Sequence, residues 1–309
     1  MPWEAGGAAM QSVGNEILYF ETGPDNPVTH RVRPGETFEV QTQINAGPWI
    51  DRLPPDEQEA WRKRLRGGNP ASGCIFVEGA KPGDMLSVEV GPIEVDPAGY
   101  TKFGGSTDAT PRGLTCGPCE KLVEIGPEGI RWSDSLVLPL RPMLGFVGVA
   151  PARERHHNGW AGVWGGNLDA QEVTTGATLH LRVQCPGALL HVGDMHALQG
   201  DGEICGAGGI EAGGRVLLTC RLTSPAPKSL RFPRFENATH IGVFGLARPA
   251  EDAFRIALAE LLAWLEETYG VSQPEAIMLL AQVMEARVTA FVNPLFTYVA
   301  RIARRFLSR

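Results

Sequence analysis

Asp194 and His196 lie two residues apart in the stretch GDMHALQGDGEI (193–204), and Asp201 and Glu203 repeat that spacing further along it. Residues i and i+2 on an extended chain point to the same face. A carboxylate and an imidazole so placed can share a divalent cation, or orient one another through a hydrogen bond. This many titratable groups on one short segment repel each other unless a cation, a bound water or a substrate offsets them. Two readings stand: a solvated acidic loop, or a site. No His-Glu-x-x-His pattern accompanies the stretch to decide between them.

Other segments carry candidate chemistry. GGNLDA (165–170) places Asp169 behind two glycines, which alone is ordinary turn chemistry. His156 and His157 are adjacent, so from a strand at most one of them faces a given site. Cys116-Gly-Pro-Cys119 spells a redox dithiol, yet such a motif should follow a strand and open a helix. Here Gly and Pro surround it and EKLVEI reads as a strand, so a turn bearing two thiols is expected. CGAGGIEAGG (205–214) fails the Gly-x-Gly-x-x-Gly spacing and precedes a strand, so it reads as a pair of tight turns. Cys205 follows Glu203 by two residues. It is either a thiol nucleophile beside an acid or a buried structural cysteine.

The elements that must position these residues are mostly strands. TFEVQTQI, MLSVEV and TLHLRVQ alternate apolar and polar residues, and RVLLTCRL and THIGVFGL are further candidates. Helical spacing is concentrated later. Phe254, Leu258, Leu261, Leu262 and Leu265 form a stripe that Gly270 ends. Ser272 with Glu275 reads as a capping box opening a second helix, and a short helix is expected over 55–66. The fold class is α+β and β-rich: antiparallel sheets forming a sandwich or barrel-like body with a C-terminal helical pair. The 309 residues read as one unit, with a soft boundary near 135–150.

Composition narrows the function. A net charge of −7 argues against a nucleic-acid partner, and the basic RIARRFLSR reads as a solvated tail or helix end. No stretch approaches the roughly 20 apolar residues of a membrane span. The N-terminus lacks a basic region followed by an apolar one, and 6 cysteines in a chain this long do not form a disulfide framework. A reduced cytoplasmic protein is expected, with no membrane partner, assembling as a homo-oligomer, a dimer in the simplest case.

Four blocks in order resemble the acetamidase/formamidase family. NPASGCIFVEGAKPGDMLSVEV (69–90) is similar to that family's Asn-Pro-x-Thr-Gly-Pro…Val-Glu-Gly-Ala-x-Pro-Gly-Asp block, and LPLRPMLGFVGVAP (138–151) to its Pro-Leu-x-Pro-Met-x-Gly-x-x-Gly-Val-Ala-Pro block. GGNLD (165–169) resembles Gly-Gly-Asn-Met-Asp, and 187–211 resembles Gly-Asp-x-His-Ala-x-Gln-Gly-Asp-Gly-Glu. Three departures stand out: Trp164 where the family often has His, Gly209 for Ala, and Glu285 for Asp. The resemblance implies a β-rich fold and hydrolysis of short aliphatic amides to a carboxylate and ammonia. Asp169, Asp194, His196, Asp201, Glu203, Asn69 and Asn167 fall on its polar signature positions.

An amide carbonyl is a weak electrophile and the amine a poor leaving group, so hydrolysis needs an activated nucleophile, an oxyanion stabiliser and an acid. A divalent metal, zinc among the candidates, supplies the first two. The expected assignment is Asp169, Asp194 and His196 as ligands and Glu203 as the proton carrier. Asp201, or less strongly Glu211, would orient His196 or Glu203, while Asn69, Asn167 and Gln199 would bind substrate. A metal-free route through Cys205 and Glu203, and a non-catalytic small-molecule binding protein, are the alternatives.

Overall fold

Two long strands, Met85–Phe103 and Gly206–Thr223, run antiparallel beside one another and form the backbone of the sheet. The computed structural model describes residues 10–114 and 116–307. Among them, 19 strands join in one mainly antiparallel sheet, and Glu21–Thr22 pairs with His156–His157 in a separate ribbon. The register of the long pair shifts at Ala207/Glu211, Ala212/Gly214 and Val216/Leu218. Such bulges bend and twist a strand, which lets so large a sheet curl around its own core. The expected β-rich α+β class is the one observed. The glycine-rich 205–214 segment corrects the expectation of two tight turns: from Gly206 onward it is bulged strand.

The alternating segments do form strands, at Thr37–Thr42, within Met85–Phe103, at Thr178–Arg182, within Gly206–Thr223 and at His240–Ala247. Their apolar faces meet in one large core containing Phe38, Val40, Val88, Leu181, Val216 and Phe244. The opposite face is in part covered too. His180, on the polar side of its strand, is buried against Trp264 of helix Ala250–Tyr269. That helix and Gln273–Val283 pack on Ile241, Val243, Ala300 and Ile302.

Helix details differ from the sequence pattern. The buried stripe of the long helix is Ala253, Ala257, Glu260, Leu261, Trp264 and Leu265, with Phe254, Leu258 and Leu262 at its margin. Small alanines face the strands because backbone approaches closely: a Cβ on Gly245 would meet the Ala253 carbonyl at 1.9 Å. Gly270 ends the helix in the left-handed conformation, as expected. Ser272 takes the N-cap position without a side-chain hydrogen bond, so no capping box forms. The hairpin Glu285–Ala290 and Phe296–Ala303 follows the helices and returns the chain to the sheet. The basic segment opens as the end of this hairpin, and Ser308 and Arg309 lie outside the described residues. Among the described residues, no helix is long and apolar enough to cross a membrane.

Candidate active site

Strand Leu190–Leu198 carries Asp194 and His196 into the sheet interior, with Glu211 of the neighbouring strand directly opposite His196. Asp169 follows the short strand Gly165–Asn167, which pairs with Met143–Gly148 on the other side. Glu203 arrives from the turn between Leu198 and Gly206. Asn69, Asp169, Asp194 and Glu203 have φ of 52°, 42°, 52° and 45°, values that L-residues rarely adopt. Strain of this kind persists only where surrounding structure enforces it, and here it turns four polar side chains toward one point. Absent Cβ atoms leave the room. A Cβ on Gly145 would lie 2.5 Å from Asp169 Oδ1 and 2.7 Å from Asp194 Oδ2.

His196 is the centre of the cluster and is fully buried. Its Nδ1 lies 2.8 Å from Gln199 Oε1. Gln199 donates its amide hydrogens to the carbonyls of Asp169 (2.8 Å) and Thr289 (3.2 Å), so its oxygen faces the ring and Nδ1 carries the hydrogen. Nε2 therefore points into the cluster, 3.4 Å from Glu211 Oε1 and 3.7 Å from Asp194 Oδ1. Among the described residues, His196 Nε2, Asp169 Oδ1 and Glu203 Oε2 are buried without a hydrogen-bond partner.

Four asparagines bind the carboxylates of Asp169 and Asp194. Asn167 and Asn293 donate to Asp169 Oδ2 at 2.6 and 2.7 Å. Asn45 and Asn69 donate to Asp194 Oδ1 and Oδ2, both at 3.3 Å. Burial, then repulsion from Asp194, pushes Asp169 up to about 7. Burial, then Asp169, raises Glu203 well above the usual carboxylate range, and burial, then Asp194, raises Glu211. Burial opposes charge on His196, but Asp194 and Glu211 outweigh it and raise the imidazole. The cluster thus binds protons tightly, as a pocket short of positive charge does.

Among the described residues, two groups of three could hold a metal ion: Asp169, His196 and Glu203, and Asp194, His196 and Glu211, each offering ligand atoms within 4.8 Å of one another. The expected trio of Asp169, Asp194 and His196 divides between them. Asp194, Glu203 and Glu211 open onto a cavity of about 410 Å³ that Asn45, Asn69, Tyr100, Lys102, His157, Trp160, Asn167 and Asn293 also border.

Some expected residues fall elsewhere. Asp201 is exposed and paired with Arg287 at 2.8 Å, because the turn sends Asp201 and Glu203 to opposite sides. Gln199, not Asp201, orients His196, and its buried, fully bonded amide is not free for substrate. Asn69 and Asn167 border the cavity, but their amide hydrogens are engaged within the cluster: Asn69 donates to Asn167 Oδ1 and Asp194, and Asn167 to Asp169. Cys205 borders a neighbouring cavity with Cys119, and burial raises its thiol, which disfavours a thiolate nucleophile. Of the two adjacent histidines, His157 reaches the cavity while His156 stacks on Trp164 at 4.1 Å. Glu285 pairs with Arg301, and Gly209 lies against His196, where a Cβ would stand 2.7 Å from Nδ1. Asn45 and Asn293 escaped the sequence reading; their only signals are Asn-Ala-Gly-Pro and Asn-Pro turn spellings.

Comparison with known proteins agrees with this architecture. Residues 161–294 match the family model described as the Acetamidase/Formamidase family. An acetamidase of Mycolicibacterium smegmatis is 48% identical over 267 residues, which cover 62% of this chain and 63% of the relative. The chain thus spans less than two thirds of the length of the curated relatives it matches. The crystal structure of an acetamidase from Bacillus halodurans superposes with a TM-score of 0.85 at 30% identity, covering 96% of this chain and 98% of that one. That of a predicted acetamidase/formamidase from Thermoanaerobacter tengcongensis gives 0.86 at 29% identity, covering 96% and 97%.

Proposed function

The chain belongs to the acetamidase/formamidase family, and from that premise we propose that it hydrolyses the carboxamide of a small amide to a carboxylate and ammonia. The observation that carries this reading is the convergence of His196 Nε2, Asp169 Oδ1 and Glu203 Oε2, all buried and all without a hydrogen-bond partner. Each orphaned buried atom costs about 1–3 kcal/mol. A divalent cation of the zinc type fits this N/O donor set and would relieve all three. When bound, such a cation polarises a carbonyl and lowers the pKa of a water to about 7.

The chain's own residues do the rest. Asp169, His196 and Glu203 hold the cation, and Gln199 fixes the imidazole so that Nε2 presents its lone pair. Glu211, bordering the cavity with a raised affinity for protons, takes a proton from the attacking water. The water oxygen forms its bond to the carbonyl carbon. Glu211 then passes the proton to the nitrogen as the carbon–nitrogen bond breaks, releasing ammonia and the carboxylic acid, whose proton passes to ammonia or solvent to leave the carboxylate. Asn45 and Asn69 keep Asp194 in place beside the reacting groups.

The test is metal content and ammonia release measured together. Glu211→Gln should retain metal and lose roughly 10²–10⁴ in kcat, the contribution of acid–base catalysis. His196→Ala and Glu203→Gln should lose metal as well as rate. A Glu203→Gln protein that keeps its metal would return the base role to Glu203. Full activity after exhaustive chelation would remove the metal from the mechanism, and no ammonia from any amide would remove the activity.

A further inference from the structure

We propose that Lys102 selects amides that carry a carboxylate at the end remote from the reacting carboxamide, such as half-amides of short dicarboxylic acids. The inference rests on the amidase reading and deepens it.

The cavity has three chemically distinct parts. Asp194, Glu203 and Glu211 form its acidic floor, and Trp160 and Pro294 offer apolar surface. Among the described residues, Lys102 supplies its one lysine or arginine. This lysine also borders the adjoining cavity of Cys119 and Cys205, so it stands where the two meet. Its strand neighbours are Ala207 on one side and Glu120 on the other. Glu120 is well placed for a cross-strand ion pair, yet none forms. Among the described residues, no hydrogen bond or ion pair engages the exposed Lys102 ammonium at the rim of the cavity.

A volume of about 410 Å³ is large for a one- or two-carbon amide. Such a substrate leaves most of the space to water and reaches neither the aromatic surface nor the lysine. A longer amide displaces that water from Trp160. A terminal carboxylate then meets the unpartnered ammonium in a charge-assisted hydrogen bond. The acidic floor sets a lower limit on length, because an anion too near the carboxamide would lie against Glu203 and Glu211. Selectivity should therefore peak at an intermediate chain length.

The experiment compares malonamate, succinamate and glutaramate with neutral amides of matched length, in the wild type, Lys102→Met and Lys102→Glu. Binding of the same compounds is measured by calorimetry in the Glu211→Gln protein, with and without the Lys102 change. The expected result is a kcat/KM preference of roughly tenfold or more for succinamate or glutaramate over the neutral match. Lys102→Met should erase that preference and Lys102→Glu invert it, with binding following the same order. Equal or better use of the neutral amide by the wild type overturns the proposal, as does a preference that survives Lys102→Met. Lys102-dependent binding by a protein that hydrolyses no amide would overturn the amidase reading while leaving this anion site standing. The absence of both binding and turnover overturns both.

Discussion

Gln199 fixes His196 in a single orientation: its Oε1 accepts from the imidazole Nδ1 at 2.8 Å, while its Nε2 is engaged by the carbonyls of Asp169 and Thr289. Reversing the amide would break all three bonds. Gln199→Ala should therefore lower metal affinity by about 10–100-fold, the usual cost of removing such a supporting contact. Competition titration measures this, and Gln199→Glu should restore part of it by again accepting from Nδ1. Unchanged affinity in the alanine variant would show that the ring is oriented by packing alone.

Acid should release the cation. A proton and a divalent ion compete for the same atoms, so affinity rises with pH while the ligands still bind protons. Burial and Asp194 hold Asp169 up at about 7, and Glu203 and His196 are raised as well. The apparent dissociation constant should climb steeply as pH falls below about 7, more steeply than one proton per ion would give. A flat profile across neutrality would count against these residues as ligands.

Asp201→Asn should change kcat/KM only within a few-fold. Its carboxylate is exposed and bonded to Arg287 and Gln171, away from His196. Exposed pairs of this kind contribute about 0–1 kcal/mol. A loss as large as that of Glu211→Gln would mean that the turn rearranges to bring Asp201 into the site.

His191 should make the fold acid-sensitive. It is fully buried, its Nδ1 donates to the Leu189 carbonyl, and its Nε2 accepts from Asn26 at 2.9 Å. Burial depresses its pKa from 6.5 to about 4. A depressed folded-state value means that the unfolded chain takes up the proton first. The stabilisation is fully present above 6.5, declines as pH falls, and is gone below about 4, a loss on the order of 3 kcal/mol. Urea midpoints across that window should fall in the wild type and flatten in His191→Gln. Parallel slopes would assign the effect to other groups.

The strands were legible in the sequence because alternation is a local property: one face of TFEVQTQI or THIGVFGL must leave water whatever it meets. Asp194 and His196 were legible as a pair for the same reason, since strand spacing alone brings them to one side. Repetition of that spacing misled at Asp201 and Glu203, because a turn has no period. The long helix kept its extent, and Leu261 and Leu265 of its expected face, but the face is turned toward Ala253, Ala257 and Trp264. Alanines, not the larger Phe254 and Leu258, meet the sheet at the point where Gly245 lets the backbones touch. Tertiary structure alone decided which groups converge. Glu211 stands opposite His196 through strand register, and Asn45 and Asn293 reach Asp194 and Asp169 from turns 149 and 124 positions away in the chain. No local pattern encodes such distances, because an asparagine in a turn has the same spelling whether its amide meets water or a buried carboxylate.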